Sequence, residues 1–174
     1  MEKKNIVLIG MPGCGKSTVG VLLAKALLMP FIDTDLLIQQ KENRFLQDII
    51  NNDGIDTFLS IEEETILKLD MKNHVIATGG SIILKAPSIQ HLKQHGTLVY
   101  LKLSYEEINK RIKNITTRGI AKHNGQTLLE VYNERIPLYE KYSDITILCS
   151  NKNTEEIINQ ITDELSKKII KGHV

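Results

Sequence analysis

The chain has 174 residues, of which 41% are hydrophobic, and its 22 basic and 21 acidic residues give a formal net charge of +1. This length suits one globular domain, so we expect a single domain over residues 1–174. The balanced charge argues against a nucleic-acid-binding surface, and no apolar run reaches the roughly 18 residues of a membrane-spanning helix. Residues 1–4 lead into a strand without a signal-peptide core, so we expect a cytoplasmic protein, and we also expect a monomer.

The first predicted strand is Asn5–Ile9, and a glycine-rich segment, Gly-Met-Pro-Gly-Cys-Gly-Lys-Ser, follows it at residues 10–17. Apolar residues at helical spacing continue from Thr18 to Leu28. A complete G-x-x-x-x-G-K-[ST] motif between a strand and a helix predicts a phosphate-binding loop, here called the P-loop (residues 10–17). The chain is therefore predicted to bind a nucleoside triphosphate.

Each residue type in the P-loop has a chemical reason to be there. Glycines allow successive backbone N–H groups to converge on a phosphate, and a helix starting near Lys16 points the positive end of its dipole at the same anion. Lys16 is predicted to act in catalysis by bridging the β- and γ-phosphates, and the Ser17 hydroxyl is predicted to ligate Mg²⁺. The predicted nucleotide-binding residues of this segment are Gly13, Cys14, Gly15, Lys16, Ser17 and Thr18.

Four further apolar runs are separated by segments with helical periodicity, and they predict the strands Phe31–Asp33, Val75–Thr78, Thr97–Leu103 and Ile145–Cys149. Five strands with helices between them predict an α/β fold with a parallel, doubly wound sheet. Capping pairs predict where three later helices begin. These pairs are Ser104 with Glu107, Thr127 with Glu130, and Asn153 with Glu156.

A polar segment, Asn114–Gln126, lies between two of these predicted helices and contains Gly119 and Gly125. A segment of this length without secondary structure of its own is typical of an active-site lid. We therefore expect a mobile lid at about residues 114–126, placed over the phosphate site.

Two carboxylates, Asp33 and Asp35, stand at the end of the second predicted strand. In an extended chain they point in the same direction, and the carboxyl ends of parallel strands line the ligand crevice. One carboxylate is predicted to hold Mg²⁺ through water, and the other to orient an acceptor hydroxyl and accept its proton. The alternative for either residue alone is a helix N-cap or an acidic residue of a first helical turn.

The third predicted strand is followed by Thr78-Gly79-Gly80-Ser81, again at the carboxyl edge of the sheet. Backbone without side chains lets a substrate approach closely and offers N–H donors, so Gly79 and Gly80 are predicted to bind substrate. An ordinary turn between a strand and a helix is the alternative.

Taken together, these features resemble the shikimate kinase family over essentially the whole chain. The matching segments are the P-loop, Asp33-Thr34-Asp35, Ala77-Thr78-Gly79-Gly80, Arg118 in the lid, and Arg135-Ile136-Pro137-Leu138-Tyr139. The resemblance implies a P-loop NTPase fold of the nucleoside monophosphate kinase type. This fold is a three-layer sandwich with a lid and a five-stranded parallel sheet in the order 2-3-1-4-5. The resemblance also implies transfer of the γ-phosphoryl group of ATP, with Mg²⁺, to the 3-hydroxyl of shikimate.

The resemblance assigns a role to five side chains. Asp35 matches the aspartate that binds the acceptor and acts as the base, and Asp33 matches the one near Mg²⁺. Arg118 matches a catalytic lid arginine that reaches the γ-phosphate and the acceptor, and Arg135 matches an arginine that pairs with the substrate carboxylate. Arg111 falls where the family stacks an arginine on adenine. For Arg118 and Arg135 the alternative is a surface ion pair.

The chain departs from the family pattern at three places, all on the acceptor side. The family's Phe-Arg-x-x-Glu reads Phe58-Leu59-Ser60-Ile61-Glu62, its third glycine after the third strand is Ser81, and its Arg-Pro-Leu-Leu reads Arg118-Gly119-Ile120-Ala121. In the family the arginine at the position of Leu59 is one arm of a clamp on the shikimate carboxylate. Losing that arm would cost about 2 kcal/mol or more of acceptor binding unless another donor replaces it.

These departures leave the acceptor open. Shikimate is the leading candidate, and the alternative within enzymes is another polyol or hydroxy acid, for which Leu59 leaves room. A further alternative is a nucleotide-binding module that regulates a partner without catalysis. The combination of Asp35, Arg118 and Arg135 argues against it, because a protein that only binds nucleotide needs no residues for an acceptor.

Overall fold

The computed structural model of the protein describes residues 4–113, 120–123 and 125–171. Within these ranges, five strands alternate with eight α-helices and one short 3-10 helix, Ile82–Leu84. The strands are β1 (Asn5–Ile9), β2 (Phe31–Asp33), β3 (Val75–Ala77), β4 (Gly96–Lys102) and β5 (Ile145–Leu148). The helices are α1 (Lys16–Leu27), α2 (Thr34–Glu42), α3 (Leu46–Asp53), α4 (Ile55–Leu67), α5 (Ala86–His95), α6 (Tyr105–Lys113), α7 (Leu128–Tyr142) and α8 (Thr154–Lys171).

The five strands form one sheet in the order β2-β3-β1-β4-β5, and every pairing is parallel. This confirms the α/β fold and the expected strand order. Three strands end one residue earlier than the apolar pattern indicates, so Thr78, Leu103 and Cys149 lie just beyond them. Because the strands are parallel, the segments that leave the carboxyl ends of β1, β2 and β3 all open at the same edge of the sheet.

The position of each strand in the sheet determines how much of it is buried. Every residue of the central strand β1 is buried, as expected for a parallel strand that is covered on both faces. The main core packs α1, α5 and α7 around the sheet. A second, smaller apolar cluster consists of Ile38, Leu46, Ile49, Phe58, Leu59 and Ala121, and it joins α2, α3 and α4. None of the helices in the described ranges combines the length and the apolarity needed to cross a membrane.

The helix starts follow the predicted capping pairs. At α7, the Thr127 hydroxyl accepts a hydrogen bond from the Glu130 N–H at 3.2 Å, and Glu130 Oε2 accepts one from the Thr127 N–H at 2.7 Å. Asn153 and Glu156 form the same reciprocal pair of hydrogen bonds at the start of α8. At the start of α6, the Ser104 hydroxyl accepts a hydrogen bond from the Glu107 N–H. These local interactions determine where α7 begins, and α7 carries Arg135 to the sheet edge.

The predicted lid lies largely outside the part of the chain that the structure describes. Residues 114–119 and 124, which include Arg118, fall outside it, while residues 120–123 and 125–126 have neither helix nor strand. The lid and the role of Arg118 therefore stay predictions.

The capping box of α7 generates a test of stability. We expect Thr127→Ala to lower the free energy of unfolding by about 1 kcal/mol, because the first turn of α7 loses the hydroxyl that accepts from the Glu130 N–H. Urea denaturation measures this change. Thr127→Ser is the matched control, since it retains the hydroxyl and should keep most of the stability. Equal stability of the alanine variant and the wild type would contradict the assigned cap.

Candidate active site

The P-loop has the backbone geometry of an anion site. Gly10, Gly13 and Gly15 have φ angles of 145°, 82° and 103°, which only glycine adopts without strain. Gly15 also precedes α1, whose first turn has no side-chain cap and no acidic residue. The first N–H groups of α1 therefore have no capping partner on a side chain, and this is the arrangement in which helix N-termini bind phosphate.

Lys16 is held inside the curve of the P-loop. Only 7% of the residue is exposed, and its ammonium donates to Gly10 O at 2.7 Å and Met11 O at 2.9 Å, with Cys14 Sγ at 3.7 Å. A cation so placed fits a loop that receives phosphates. The Cys14 N–H, by contrast, donates to Met11 O at 3.2 Å, so this amide serves the loop's own turn.

The other predicted nucleotide-binding residues lie around the same loop. Ser17 is in the first turn of α1 and lines the cleft described below, whereas Thr18 is exposed on that helix. Arg111, on α6, lies against the loop with Nη1 3.5 Å from both Gly13 O and Cys14 O. Its placement beside the P-loop is as expected, and its stacking on adenine stays a prediction.

Asp33 and Asp35 are not arranged as an extended chain would place them. The strand β2 ends at Asp33 and α2 begins at Thr34, so the inference that both carboxylates point the same way along a strand is wrong. Asp33 is the N-cap of α2, and its Oδ1 accepts from the backbone N–H groups of Asp35 at 3.0 Å and Leu36 at 3.4 Å. Asp35 lies in the first turn of α2 and faces the cleft.

A cleft at the carboxyl edge of the sheet brings together six of the predicted site residues, from both the donor and the acceptor side. It joins donor-side residues of the P-loop to acceptor-side residues from α2, the turn after β3, and α7. The lining residues are Pro12, Lys16, Ser17, Asp35, Leu46, Phe58, Thr78, Gly79, Gly80, Ser81, Ala121 and Arg135. The apolar members were not predicted as site residues, because nothing in a single sequence distinguishes them from ordinary core positions.

The turn Thr78–Ser81 is held by hydrogen bonds to three different elements. The Thr78 hydroxyl donates to Leu8 O at 2.9 Å, the Gly79 N–H donates to Thr34 Oγ1 at 3.2 Å, and the Tyr139 hydroxyl donates to Gly80 O at 2.5 Å. The Gly79 N–H therefore already has a protein acceptor in this structure, and substrate binding by Gly79 stays a prediction.

The two glycines of this turn are needed for close packing within the protein. A Cβ at Gly80 would lie 2.6 Å from Pro12 Cδ, so the turn rests directly on the P-loop. A Cβ at Gly79 would collide with Glu62 Oε1 and would lie 2.8 Å from Asp35 Oδ1. Two carboxyl groups therefore approach the same glycine from α2 and α4.

Glu62 is a buried carboxyl group beside this site that was not among the predicted site residues, although it ends the segment Phe58–Glu62 that resembles a family motif. It is 0% exposed, and its Oε2 accepts a hydrogen bond from the Ser81 hydroxyl at 2.7 Å. Among the described residues, Oε1 has no hydrogen-bond partner. Burial raises the pKa of Glu62 to about 8, and the negative charge of Asp35 adds to this shift. The Ser81 hydrogen bond and the positive charges of Arg135 and Lys16 act in the opposite direction. The sequence did contain a signal for a buried acidic residue, because Glu62 falls at helical spacing among Phe58, Leu59 and Ile66, with which it shares the buried face of α4.

Arg135 is not a surface ion pair. It is 2% exposed, and its Nη2 donates to Ala121 O. Neither Nε nor Nη1 has a hydrogen-bond partner among the described residues. A buried guanidinium with unpaired N–H groups is costly, and an anion in the cleft would satisfy it.

Comparison with known proteins agrees with this geometry. Residues 12–166 match the family model described as shikimate kinase. A shikimate kinase from Clostridium botulinum (strain Okra / Type B1) is 43% identical over 168 residues, which cover 94% of this chain and 97% of that protein. The chain belongs to the shikimate kinase family.

Solved structures of shikimate kinases have the same fold. The enzyme from Acinetobacter baumannii, in complex with shikimate, superposes with a TM-score of 0.88 at 30% identity, over 95% of this chain and 94% of that one. The enzyme from Aquifex aeolicus gives a TM-score of 0.80 at 30% identity, over 95% and 98% of the two chains.

Two of the departures expected from the shikimate kinase pattern, Leu59 and Ser81, fall on described residues. Leu59 is 7% exposed and packs in the second apolar cluster with Phe58 and Ile49. Ser81 is buried and provides the hydrogen bond to Glu62. The third departure begins at Arg118 and Gly119, which lie outside the described residues.

The contact between Gly80 and Pro12 generates a test of how the two halves of the site are held together. We expect Gly80→Ala to lower kcat/KM by about tenfold or more, because the new methyl group would push the P-loop out of position. Steady-state kinetics measures this loss. Adding Pro12→Ala removes the ring that the methyl group meets and should restore part of the activity. Wild-type kinetics in Gly80→Ala alone would show that the contact is not needed.

Proposed function

We propose that the protein is an ATP-dependent kinase that transfers the γ-phosphoryl group of ATP, with Mg²⁺, to the 3-hydroxyl of shikimate. The observation that carries the proposal is one cleft shared by the P-loop lysine, Asp35 and a buried Arg135 with two unpaired N–H groups. Membership of the shikimate kinase family supports it. We also propose that the protein is a monomer in the cytoplasm.

The donor half of the reaction depends on positioning and charge. Lys16 lies inside the P-loop, where it can exchange its carbonyl contacts for phosphate oxygens and stabilise the charge that develops during transfer. The Ser17 hydroxyl would hold Mg²⁺, with Asp33 reaching it through water, and the ion would neutralise charge on the phosphate oxygens. Arg118 would add a second cation from the lid.

The acceptor half depends on a base and an anion clamp. Asp35 faces the cleft from the first turn of α2, where it can orient the acceptor hydroxyl and accept its proton. The guanidinium of Arg135, which lines the same cleft, would pair with the acceptor carboxylate. The apolar walls, Leu46 and Phe58, would exclude water from the bound acceptor.

One observation favours a second candidate function, the phosphorylation of another polyol or hydroxy acid. Leu59 is buried among apolar side chains, so the described part of α4 contributes no cation to a carboxylate clamp. A coupled assay of ADP formation with shikimate, quinate, gluconate and simple polyols separates the candidates. We expect the highest kcat/KM with shikimate. Turnover of an uncharged polyol with none of shikimate would favour the second function, and no turnover of any compound would favour a non-catalytic nucleotide-binding module.

The proposed role of Asp35 as a base can be tested by mutation. Asp35→Asn should lower kcat by at least about a hundredfold, because the amide cannot accept the proton of the acceptor hydroxyl. ATP affinity, measured by calorimetry, should change little. If the variant lost ATP binding to the same degree as activity, Asp35 would belong to the nucleotide or metal site instead.

The proposed carboxylate clamp at Arg135 can also be tested by mutation. We expect Arg135→Lys to raise the KM for shikimate by about tenfold or more, because an ammonium group keeps the charge but cannot form the paired contact of a guanidinium. The KM for ATP is the internal control and should change little. Shikimate methyl ester, which lacks the anionic carboxylate, should lose much less than shikimate does. An equal loss for the acid and the ester would contradict a carboxylate clamp at Arg135.

A further inference from the structure

Two buried charged residues of the acceptor site are only partly satisfied. Glu62 is fully buried and has one oxygen, Oε1, without a hydrogen-bond partner among the described residues. Arg135 is 2% exposed, and its Nε and Nη1 likewise have none among those residues. Opposite charges on the two side chains attract each other, yet no hydrogen bond joins them.

The surroundings of Glu62 favour different ionisation states of its carboxyl group. Arg135 from α7, Lys16 from α1 and the Ser81 hydroxyl favour the carboxylate. Burial and the carboxylate of Asp35 from α2 favour the neutral acid. Because Gly79 has no side chain, Oε1 and Asp35 Oδ1 both reach the space beside it, which brings the like charges together.

An anion in the cleft would favour the neutral acid form of Glu62 over the carboxylate. A carboxylate that pairs with Arg135 weakens the attraction between the guanidinium and Glu62. It also adds a third negative charge to a space that already contains Asp35. In a buried site both effects are large, because little water screens them. The carboxylate of Glu62 therefore becomes unfavourable when the site is filled.

We propose that an anionic acceptor binds together with a proton, which Glu62 takes up from the solvent. The carboxylate of Glu62 becomes a carboxylic acid, and no bond of the acceptor changes. This inference rests on the proposed function, because it requires an acceptor carboxylate at Arg135. Glu62 would act as a positioning residue that adjusts the charge of the site to the charge of its ligand.

The sign of the pH dependence follows from burial and from the charges around Glu62. Because the pKa of Glu62 in the free protein is about 8, the group is already protonated at much lower pH, and binding then needs no proton. At higher pH the free protein must take up a proton to bind. Affinity for shikimate should therefore be flat between about pH 6 and pH 7, where shikimate keeps its carboxylate, and fall by up to about tenfold between pH 7 and pH 9.

Isothermal titration calorimetry tests the proposal on the whole protein with shikimate as the ligand. Titrations at pH 8 in buffers of different ionisation enthalpy report the protons exchanged, and we expect an uptake that approaches about half a proton per shikimate bound. Shikimate methyl ester should bind without this uptake, because it leaves Arg135 charged and unpaired. Shikimate binding without proton exchange at pH 8 and pH 9 would overturn the proposal.

Variants assign the proton to Glu62. Glu62→Gln can still accept from the Ser81 hydroxyl and should bind shikimate with no proton uptake and no change of affinity between pH 7 and pH 9. Glu63→Gln is the matched control, because it removes the neighbouring carboxylate of α4, which lies 3.9 Å from Lys85, and should keep the uptake. The same uptake in Glu62→Gln as in the wild type would overturn the assignment.

Ser81→Ala provides an independent variant in case Glu62→Gln does not fold. It removes the hydrogen bond that favours the carboxylate, so Glu62 should stay protonated to higher pH, and the uptake at pH 8 should fall. An unchanged uptake in Ser81→Ala would contradict the proposal. Failure of the proposed function gives a different result, which is no heat of shikimate binding at any pH together with no turnover, and the inference would then fail with it.

Discussion

The packing of Gly80 against Pro12 fixes the distance between the two halves of the site. The P-loop leaves β1 and the turn Thr78–Ser81 leaves the neighbouring strand β3, so parallel pairing already brings both to one edge of the sheet. The absence of a side chain at Gly80 then lets the turn rest on the P-loop. The Tyr139 hydroxyl holds the Gly80 carbonyl from α7, so the helix that carries Arg135 is tied to the same turn.

The same close packing explains why so much charge is buried around the cleft. Lys16, Glu62 and Arg135 are each less than one-tenth exposed, and each has at least one protein hydrogen-bond partner. Burying charges costs free energy that other parts of the fold must offset. In return, these three side chains are held in place before any ligand arrives, and preorganised charges of this kind can stabilise a reaction without reorganisation.

Sequence reasoning succeeded where local chemistry determines structure. The P-loop, the capping boxes and the parallel sheet depend on residues close in the chain or on apolar runs, and the resemblance supplied the strand order. Sequence reasoning failed where contacts between residues distant in the chain determine the local structure. Asp33 starts a helix immediately, so the extended-chain argument for it and Asp35 did not apply. Glu62 has an ionisable side chain yet is fully buried, and the Ser81 hydroxyl that bonds to it comes from a distant part of the chain.

Glu62 shares the buried face of α4 with Leu59 and bonds to Ser81, the two described residues predicted to depart from the family pattern. Residues three apart on a helix share a face, so a cation at position 59 would be within reach of Glu62, and the buried face of α4 contains both residues. Leu59 offers no charge, and the Ser81 hydroxyl is the hydrogen-bond donor that Glu62 has instead. A neutral donor stabilises a carboxylate less than a guanidinium does, which agrees with the raised pKa of Glu62. The two residues predicted to alter the carboxylate clamp are therefore also those that, in our proposal, leave the ionisation of Glu62 sensitive to what occupies the cleft.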